Sequence, residues 1–116
     1  MCYPNYMNTR SKAEILEKLS AIISKRKMEM PEDSYVSSLF AEGNSKINSK
    51  IIEEAAEFIE AINSGKREDI IHEAADLWFH TLVSMSLNDM DASDILMELE
   101  KRFGVSGIEE KASRKK

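Results

Sequence analysis

Two short segments of the chain repeat one acidic pattern. Residues 53–57 are Glu-Glu-Ala-Ala-Glu and residues 73–76 are Glu-Ala-Ala-Asp, so a Glu-Ala-Ala-acid unit occurs twice. Carboxylates gathered at one place repel one another and raise each other's pKa unless a cation compensates them. Magnesium prefers oxygen ligands and usually keeps substrate phosphates in its shell, and manganese can substitute for it. The repeat therefore predicts a divalent-cation site that suits a phosphorylated ligand.

The positions of these acids predict that they meet. If Gly65 marks a turn between two helices, Glu57 and Glu73 are each eight residues from it. Glu54 and Asp76 are each eleven residues from the same turn. Antiparallel packing of the two helices would bring each pair to the same height, beside the buried apolar stripe. We therefore expect these four carboxylates to converge and to bind the metal ion.

An alternative interpretation treats such acids as the solvated face of an amphipathic helix. It explains one acidic segment well, and two matched copies at equal distances from one turn less well. Glu60 fits this alternative better, because it is expected on the side of its helix away from the site, and His72 is expected to point further away too. His80, four residues after Asp76, orients a carboxylate or contacts substrate, unless it is simply a hydrogen-bonded core residue.

Helices are the elements predicted to position the acids. Apolar residues recur at spacings of three and four, and no useful length shows the alternation typical of a strand. The predicted helices are Lys12 to Met28, a short one between Pro31 and Lys46, one capped by Ser45 and running to Ser64, Arg67 to Leu87, and one after Ser93 that ends at Phe103, before Gly104. The fourth has an apolar arc, including Ile71 and Trp78, wide enough to be buried on more than one side. An all-α bundle of about four to five helices follows.

Composition limits the class of protein. The chain has 116 residues, of which 42% are hydrophobic and 32% charged, which suits one folded domain. No apolar run reaches the ~20 residues of a membrane span and no signal-like N-terminus is present, so we expect a cytoplasmic protein without a membrane partner. The single cysteine, Cys2, excludes a disulfide framework or a thiolate metal site. A net charge of −5 argues against nonspecific nucleic-acid binding and leaves a small nucleotide as the expected partner.

The acidic pattern resembles the metal motif of the MazG-like all-helical nucleotide pyrophosphohydrolases. From about Ile15 to Phe103, the surrounding sequence resembles one family within them, the phosphoribosyl-ATP pyrophosphatases. Besides the acids, the matching positions are Pro31-Glu32-Asp33-Ser34-Tyr35, Ser38-Leu39, Gly43, Lys46-Ile47, Lys50, Leu77 and His80. Two positions depart from the family pattern, because Val36 stands where threonine is expected and Ile52 where glycine is common. Neither departure removes a carboxylate.

The resemblance implies hydrolysis of phosphoribosyl-ATP to phosphoribosyl-AMP and pyrophosphate, the second step of histidine biosynthesis. It implies that magnesium binds the phosphate oxygens, orients an attacking water, and is held by Glu54, Glu57, Glu73 and Asp76. Glu53 is the extra acid, which either takes the proton from that water or helps to hold a second ion.

The resemblance also implies substrate contacts outside the acids. Lys46, Lys50 and Arg26 would meet phosphates, unless the lysines are simply solvated surface residues. Ser34 and Tyr35 would contact the ribose or the base.

The predicted domain spans residues 12–104, with a flexible segment 1–11 before it and a frayed tail 105–116 after it. One hairpin with three supporting helices leaves broad apolar faces, so a homodimer or a higher homo-oligomer is expected to complete the bundle. Two rival functions stay open. One is a MazG-like house-cleaning enzyme that acts on ordinary or damaged nucleoside triphosphates, and the other is a non-catalytic helical oligomerisation module.

Overall fold

Five helices account for the fold over the residues that the structure describes. The computed structural model describes residues 2–103, with side chains over residues 14–103. Its helices are α1 Cys2–Glu29, α2 Tyr35–Glu42, α3 Asn44–Ser64, α4 Arg67–Leu87 and α5 Ala92–Phe103. The prediction of an all-α bundle is confirmed, and α4 has the predicted bounds. Gly104 and the tail predicted over residues 105–116 lie outside the described residues.

The first helix begins earlier than predicted. α1 begins at Cys2 rather than at Lys12. The added residues lack the apolar periodicity on which the prediction depended, so the sequence pattern gave no signal for them. Pro4 does not break the helix, because it lies in the first turn, where a missing N–H leaves no helical hydrogen bond unmade. The flexibility predicted for residues 1–11 stays a prediction.

Gly43 forms the junction between α2 and α3. α3 begins at Asn44, so the prediction that Ser45 caps this helix is wrong. Gly43 has a φ of 86°, a backbone conformation that residues with a Cβ rarely adopt. Its N–H donates to the carbonyl oxygen of Leu39 over 2.9 Å, which closes α2. The backbone of Gly43, and not the side chain of Ser45, therefore determines where α2 ends and α3 begins.

The core takes side chains from all five helices. Its buried members are Ile23, Leu39, Phe40, Ile47, Leu82, Val83 and Ala92. α4 packs against α1, α2 and α3, so the prediction that it is the central helix is confirmed. Val36 packs against this core, which accounts for an apolar residue where threonine was expected.

The hairpin of α3 and α4 turns at Gly65, as predicted. Gly65 has a left-handed backbone with a φ of 76°. Its N–H donates to the carbonyl oxygens of Ala61 and Ile62 at 3.0 and 3.2 Å, which closes the last turn of α3. The chain then reverses within two residues, so the acidic segments of the two helices lie side by side.

Apolar side chains remain exposed on this hairpin. Ile71 and Trp78 on α4 are 54% and 61% exposed, and Ile52 and Ile59 on α3 are 71% and 59% exposed. The members of each pair are seven residues apart and share one face of their helix. α4 packs against three helices, but the outer part of its apolar arc, at Ile71 and Trp78, stays exposed within residues 2–103. Within residues 2–103, no helix combines the length and apolar character that crossing a bilayer requires.

Candidate active site

The acids of α3 and α4 converge at one place. Carboxylate oxygens of Glu54, Glu73 and Asp76 lie within 4.8 Å of one another, and so do those of Glu53, Glu54 and Glu57. Glu54 belongs to both groups and is therefore the centre of the cluster. The prediction that Glu54 meets Asp76 across the hairpin is confirmed, and Glu57 joins the cluster through Glu54 on its own helix. Such a group of oxygens is the ligand set that hard divalent cations prefer.

Glu54 is the buried member of the cluster. It is 6% exposed, and its Oε2 has no hydrogen-bond partner in the part of the chain that the structure describes. Burial, together with the neighbouring carboxyl groups of Glu57 and Asp76, raises the pKa of its carboxyl from 4.5 to about 7, against the opposing charge of Lys50. A buried polar atom without a partner costs about 1–3 kcal/mol. The residues therefore fit a divalent cation, which would give this oxygen its missing partner.

Lys50 supplies positive charge from within the chain. Its Nζ lies 3.2 Å from Oε1 of Glu53 and 3.8 Å from Oε1 of Glu54. The hydrogen bond to Glu53 raises the pKa of the Lys50 ammonium, so this side chain stays cationic. One ammonium cannot balance five carboxylates, and the cluster keeps an excess of negative charge.

A polar cleft continues from the cluster toward the Gly65 turn. It has a volume of about 350 Å³ and is lined by Glu57, Glu60, Ala61, Ser64, Asp69 and Glu73. Glu57 and Glu73 therefore share one cleft, as predicted. The expectation that Glu60 lies away from the site is wrong, because residues three apart are neighbours on a helix surface and Glu60 follows Glu57 by three.

His72 is a neighbour of the site that the sequence analysis assigned elsewhere. Its Nε2 lies 3.3 Å from Oδ2 of Asp76, so the expectation that it points away is wrong. The two residues are four apart on α4, and this spacing was the signal that could have revealed the contact.

Tyr35 and His80 form a second group beside the acids. Tyr35 Oη lies 2.8 Å from His80 Nε2, and His80 Nδ1 lies 2.8 Å from the backbone carbonyl oxygen of Asp76. Burial raises the pKa of the Tyr35 phenol, Lys50 lowers it, and Glu54 raises it, so the phenol lies within reach of the charges of the cluster. His80 is buried, and both of its ring nitrogens are engaged, one by Tyr35 and the other by the backbone of Asp76.

The remaining predicted substrate residues are Arg26, Ser34 and Lys46. Arg26 Nη1 lies 3.5 Å from Ser34 Oγ, so these two residues meet where α1 and α2 approach each other. Ser34 is buried and caps α2, since its Oγ accepts from the backbone N–H of Ser37 over 3.2 Å. Lys46 is exposed one turn before Lys50, and among the described residues its ammonium forms no ion pair within 4.0 Å.

A helical hairpin with converging carboxylates is the arrangement that the acidic pattern of the MazG-like nucleotide pyrophosphohydrolases predicts. The fold and the site therefore indicate this class of protein. Comparison with known proteins narrows this class. The family model of phosphoribosyl-ATP pyrophosphohydrolase matches residues 16–103. The chain therefore belongs to the phosphoribosyl-ATP pyrophosphohydrolase family.

Curated relatives support the same assignment over most of the chain. The phosphoribosyl-ATP pyrophosphatase of Geobacter sulfurreducens is 49% identical over 108 residues, which cover 93% of this chain and 98% of the relative. The proteins of the same name from Nitrosomonas eutropha and Methylococcus capsulatus are similar. The Nitrosomonas eutropha protein is 48% identical over 90% of this chain and 89% of its own length. The Methylococcus capsulatus protein is 46% identical over 88% of this chain and 97% of its own length.

Proposed function

We propose that this chain hydrolyses phosphoribosyl-ATP at the acid cluster of α3 and α4, with magnesium held by Glu54, Glu57, Glu73 and Asp76. The products are phosphoribosyl-AMP and pyrophosphate, and the reaction is the second step of histidine biosynthesis. Membership of the family supports this reaction, since the matched residues 16–103 include the whole cluster. Manganese is a suitable replacement for magnesium at oxygen ligands.

The observation that carries the metal assignment is the buried carboxylate of Glu54. Its Oε2 lacks a hydrogen-bond partner among the described residues, and a carboxylate oxygen of Glu54 lies within 4.8 Å of oxygens of Glu73 and Asp76. Magnesium bound there would neutralise phosphate charge and polarise the bond to be cut. The carboxylates of the chain would fix the position of the phosphates and of the attacking water, and positioning of this kind supplies much of the rate in phosphoryl transfer.

Glu53 and Lys50 are a pair with complementary tasks. Glu53 is more exposed than Glu54 and lies at the edge of the cluster. It accepts the proton of the attacking water, or it completes the ligands of a second ion. Lys50 turns from Glu53 toward the outer phosphates when the nucleotide binds, because a triphosphate offers its ammonium more negative charge than one carboxylate does. Lys46, one helical turn earlier, adds a second positive charge for the outer phosphates.

The part of the substrate beyond the triphosphate is bound by Arg26, Ser34 and Tyr35. Phosphoribosyl-ATP carries a second ribose phosphate on its adenine, and a specific enzyme needs polar or basic contacts for that group. Arg26 is an exposed guanidinium beside the Ser34–Tyr35 corner, and it suits a phosphate better than a lysine would because it can form two parallel hydrogen bonds.

A homo-oligomer completes the protein in this proposal. The apolar residues Ile52, Ile59, Ile71 and Trp78 are exposed on α3 and α4, and their burial would supply the driving force that association requires. The dimer and the tetramer both satisfy this requirement. The cytoplasmic location predicted from the sequence stays part of the proposal.

The test is a pyrophosphate-release assay that compares phosphoribosyl-ATP with dUTP, dCTP and ATP in the presence of magnesium. We expect phosphoribosyl-ATP to have the highest kcat/KM. Faster hydrolysis of dUTP or dCTP would replace this function by the house-cleaning one. Absence of turnover together with absence of coupled binding of magnesium and nucleotide would favour the non-catalytic module.

A further inference from the structure

One hydrogen-bonded chain connects the interior of α4 to the surface of the site. It runs from the backbone carbonyl oxygen of Asp76 to His80 Nδ1, over 2.8 Å, and from His80 Nε2 to Tyr35 Oη, also over 2.8 Å. His80 is 5% exposed, whereas Tyr35 is 50% exposed. A buried imidazole therefore holds a phenol that a ligand can reach.

For a neutral imidazole, the chemistry of the two ends fixes the direction of the hydrogen bonds. A carbonyl oxygen can only accept, so Nδ1 of His80 carries the hydrogen. In a neutral imidazole, Nε2 then has a free lone pair, and the hydroxyl of Tyr35 donates to it. Tyr35 uses its one hydrogen on the interior side. Its oxygen therefore offers only lone pairs to the site.

Aromatic packing fixes the phenol in this direction. The ring of Tyr35 stacks on Phe79 with 6.5 Å between centroids and an interplanar angle of 20°. It meets His80 edge to face, at 5.8 Å and 82°. The phenol is thus held on two sides by α4, and the hydroxyl cannot turn toward the site without losing its partner on His80.

We propose that His80 is a positioning residue that makes Tyr35 a hydrogen-bond acceptor for a donor group of the nucleotide, such as a ribose hydroxyl. The inference rests on the proposed function, since it takes the nucleotide to bind beside the acid cluster. It separates the roles of the polar residues around the site. A phosphate oxygen is itself an acceptor, and Tyr35 has no hydrogen to donate to it. The lysines and Arg26 therefore bind the phosphates, and Tyr35 binds the sugar.

His80 also contacts Asp76, and this contact offers a competing role. A histidine that served only to hold the backbone at Asp76 would act on the metal ligands. Its removal would then weaken magnesium binding and leave the contribution of Tyr35 intact. The two roles therefore differ in which measured quantity changes.

A double-mutant cycle tests the proposal, with Tyr35→Phe, His80→Leu, the double variant and His80→Gln. The amide oxygen of glutamine can accept the phenol hydrogen, so His80→Gln is the conservative replacement. We expect Tyr35→Phe and His80→Leu each to raise KM by about five- to tenfold, with kcat within about twofold, the effect of one lost hydrogen bond. The double variant should be no worse than either single variant. His80→Gln should recover most of the loss, and magnesium affinity measured by calorimetry should stay unchanged throughout.

The wild-type protein supplies a second measurement that needs no variant. In ¹⁵N spectra of labelled protein, His80 should show a protonated, pyrrole-type Nδ1 and an unprotonated, pyridine-type Nε2. The opposite tautomer, a doubly protonated ring, additive KM effects in the cycle, or weaker magnesium binding in His80→Leu would each overturn the proposal. The kinetic cycle is run on whichever nucleotide the wild type hydrolyses. Failure of the wild type on phosphoribosyl-ATP would thus contradict the proposed function alone.

Discussion

The ammonium of Lys50 lies 3.8 Å from Oε1 of Glu54, the most buried acid of the cluster, and 3.2 Å from Oε1 of the more exposed Glu53. This lysine thus connects the acids that are proposed to bind the metal to the edge of the site where the outer phosphates are proposed to lie. Its position makes it the first residue to test for substrate binding.

Lys50→Ala should reduce kcat/KM for phosphoribosyl-ATP by about tenfold or more, the loss expected for ~1.4 kcal/mol of a charge-assisted contact. Lys46→Ala, which removes the neighbouring exposed charge, should have an effect in the same direction. Steady-state kinetics provide the measurement, and Lys101→Ala on α5 is the matched control. Turnover of Lys50→Ala within twofold of the control would show that the lysine is only a surface residue.

The stability of the metal-free protein should depend on pH through Glu54. The pKa of this carboxyl is raised from 4.5 to about 7, so the folded state binds the proton more tightly than the unfolded chain does. The stabilisation is present in full below pH 4.5 and is lost as the pH rises through about 7. Relative to Glu54→Gln, which cannot titrate, the free energy of unfolding of the wild type should fall by roughly 1–3 kcal/mol between pH 4.5 and 8.

Urea denaturation in the presence of a chelator measures this difference. Glu100→Gln on α5 controls for the loss of a carboxylate at an exposed position. If the wild type and Glu54→Gln show parallel pH dependences, burial does not raise the pKa of Glu54 as described.

Magnesium binding should release protons near neutral pH. A carboxylate must be deprotonated to bind a cation, and Glu54 is about half protonated at pH 7 if its pKa is about 7. We therefore expect release of about half a proton per ion at pH 7 and almost none at pH 9. Calorimetric titrations in two buffers with different ionisation enthalpies give this number. Identical heats in the two buffers at pH 7 would contradict the assignment of Glu54 as a ligand.

The exposed apolar residues of α3 and α4 should mediate association. Trp78→Ser should shift the protein toward the monomer, because it removes the largest exposed apolar side chain of α4. Analytical ultracentrifugation measures the shift, and Phe103→Ser at the end of α5, where Phe103 is 90% exposed, is the control. Equal association of Trp78→Ser and the wild type would place the interface elsewhere.

Local periodicity was enough to predict the parts of the fold that depend on local sequence. The bounds of α4, the Gly65 turn and the meeting of Glu54 with Asp76 all follow from counting residues along two helices. The contact of Tyr35 with His80 joins residues 45 positions apart, and no helical spacing predicts how α2 docks on α4. The family resemblance indicated Tyr35 and His80 as site residues, but it did not predict the hydrogen bond between them.

The incorrect predictions have local causes as well. Ser45 has the side chain of a helix cap, but the backbone of Gly43 decided the junction. His72 and Glu60 were assigned to faces away from the site by angle alone, although side chains of this length span the difference to a neighbour three or four residues away. The sequence did not predict the exposure of Trp78, because an apolar pattern predicts that a surface is covered, but not whether its own chain or a partner chain covers it.

The metal assignment is tested most directly by the rate of pyrophosphate release from phosphoribosyl-ATP as a function of magnesium concentration. The rate is measured for wild type and for Glu54→Gln, Glu57→Gln, Glu73→Gln and Asp76→Asn. We predict that wild-type turnover requires the cation and that each amide variant loses at least about a hundredfold in kcat while keeping its helical content. Glu100→Gln should behave as the wild type does. Near-normal turnover in three of the four amide variants, or wild-type turnover that a chelator leaves unchanged, would show that these carboxylates do not hold a metal ion for this reaction.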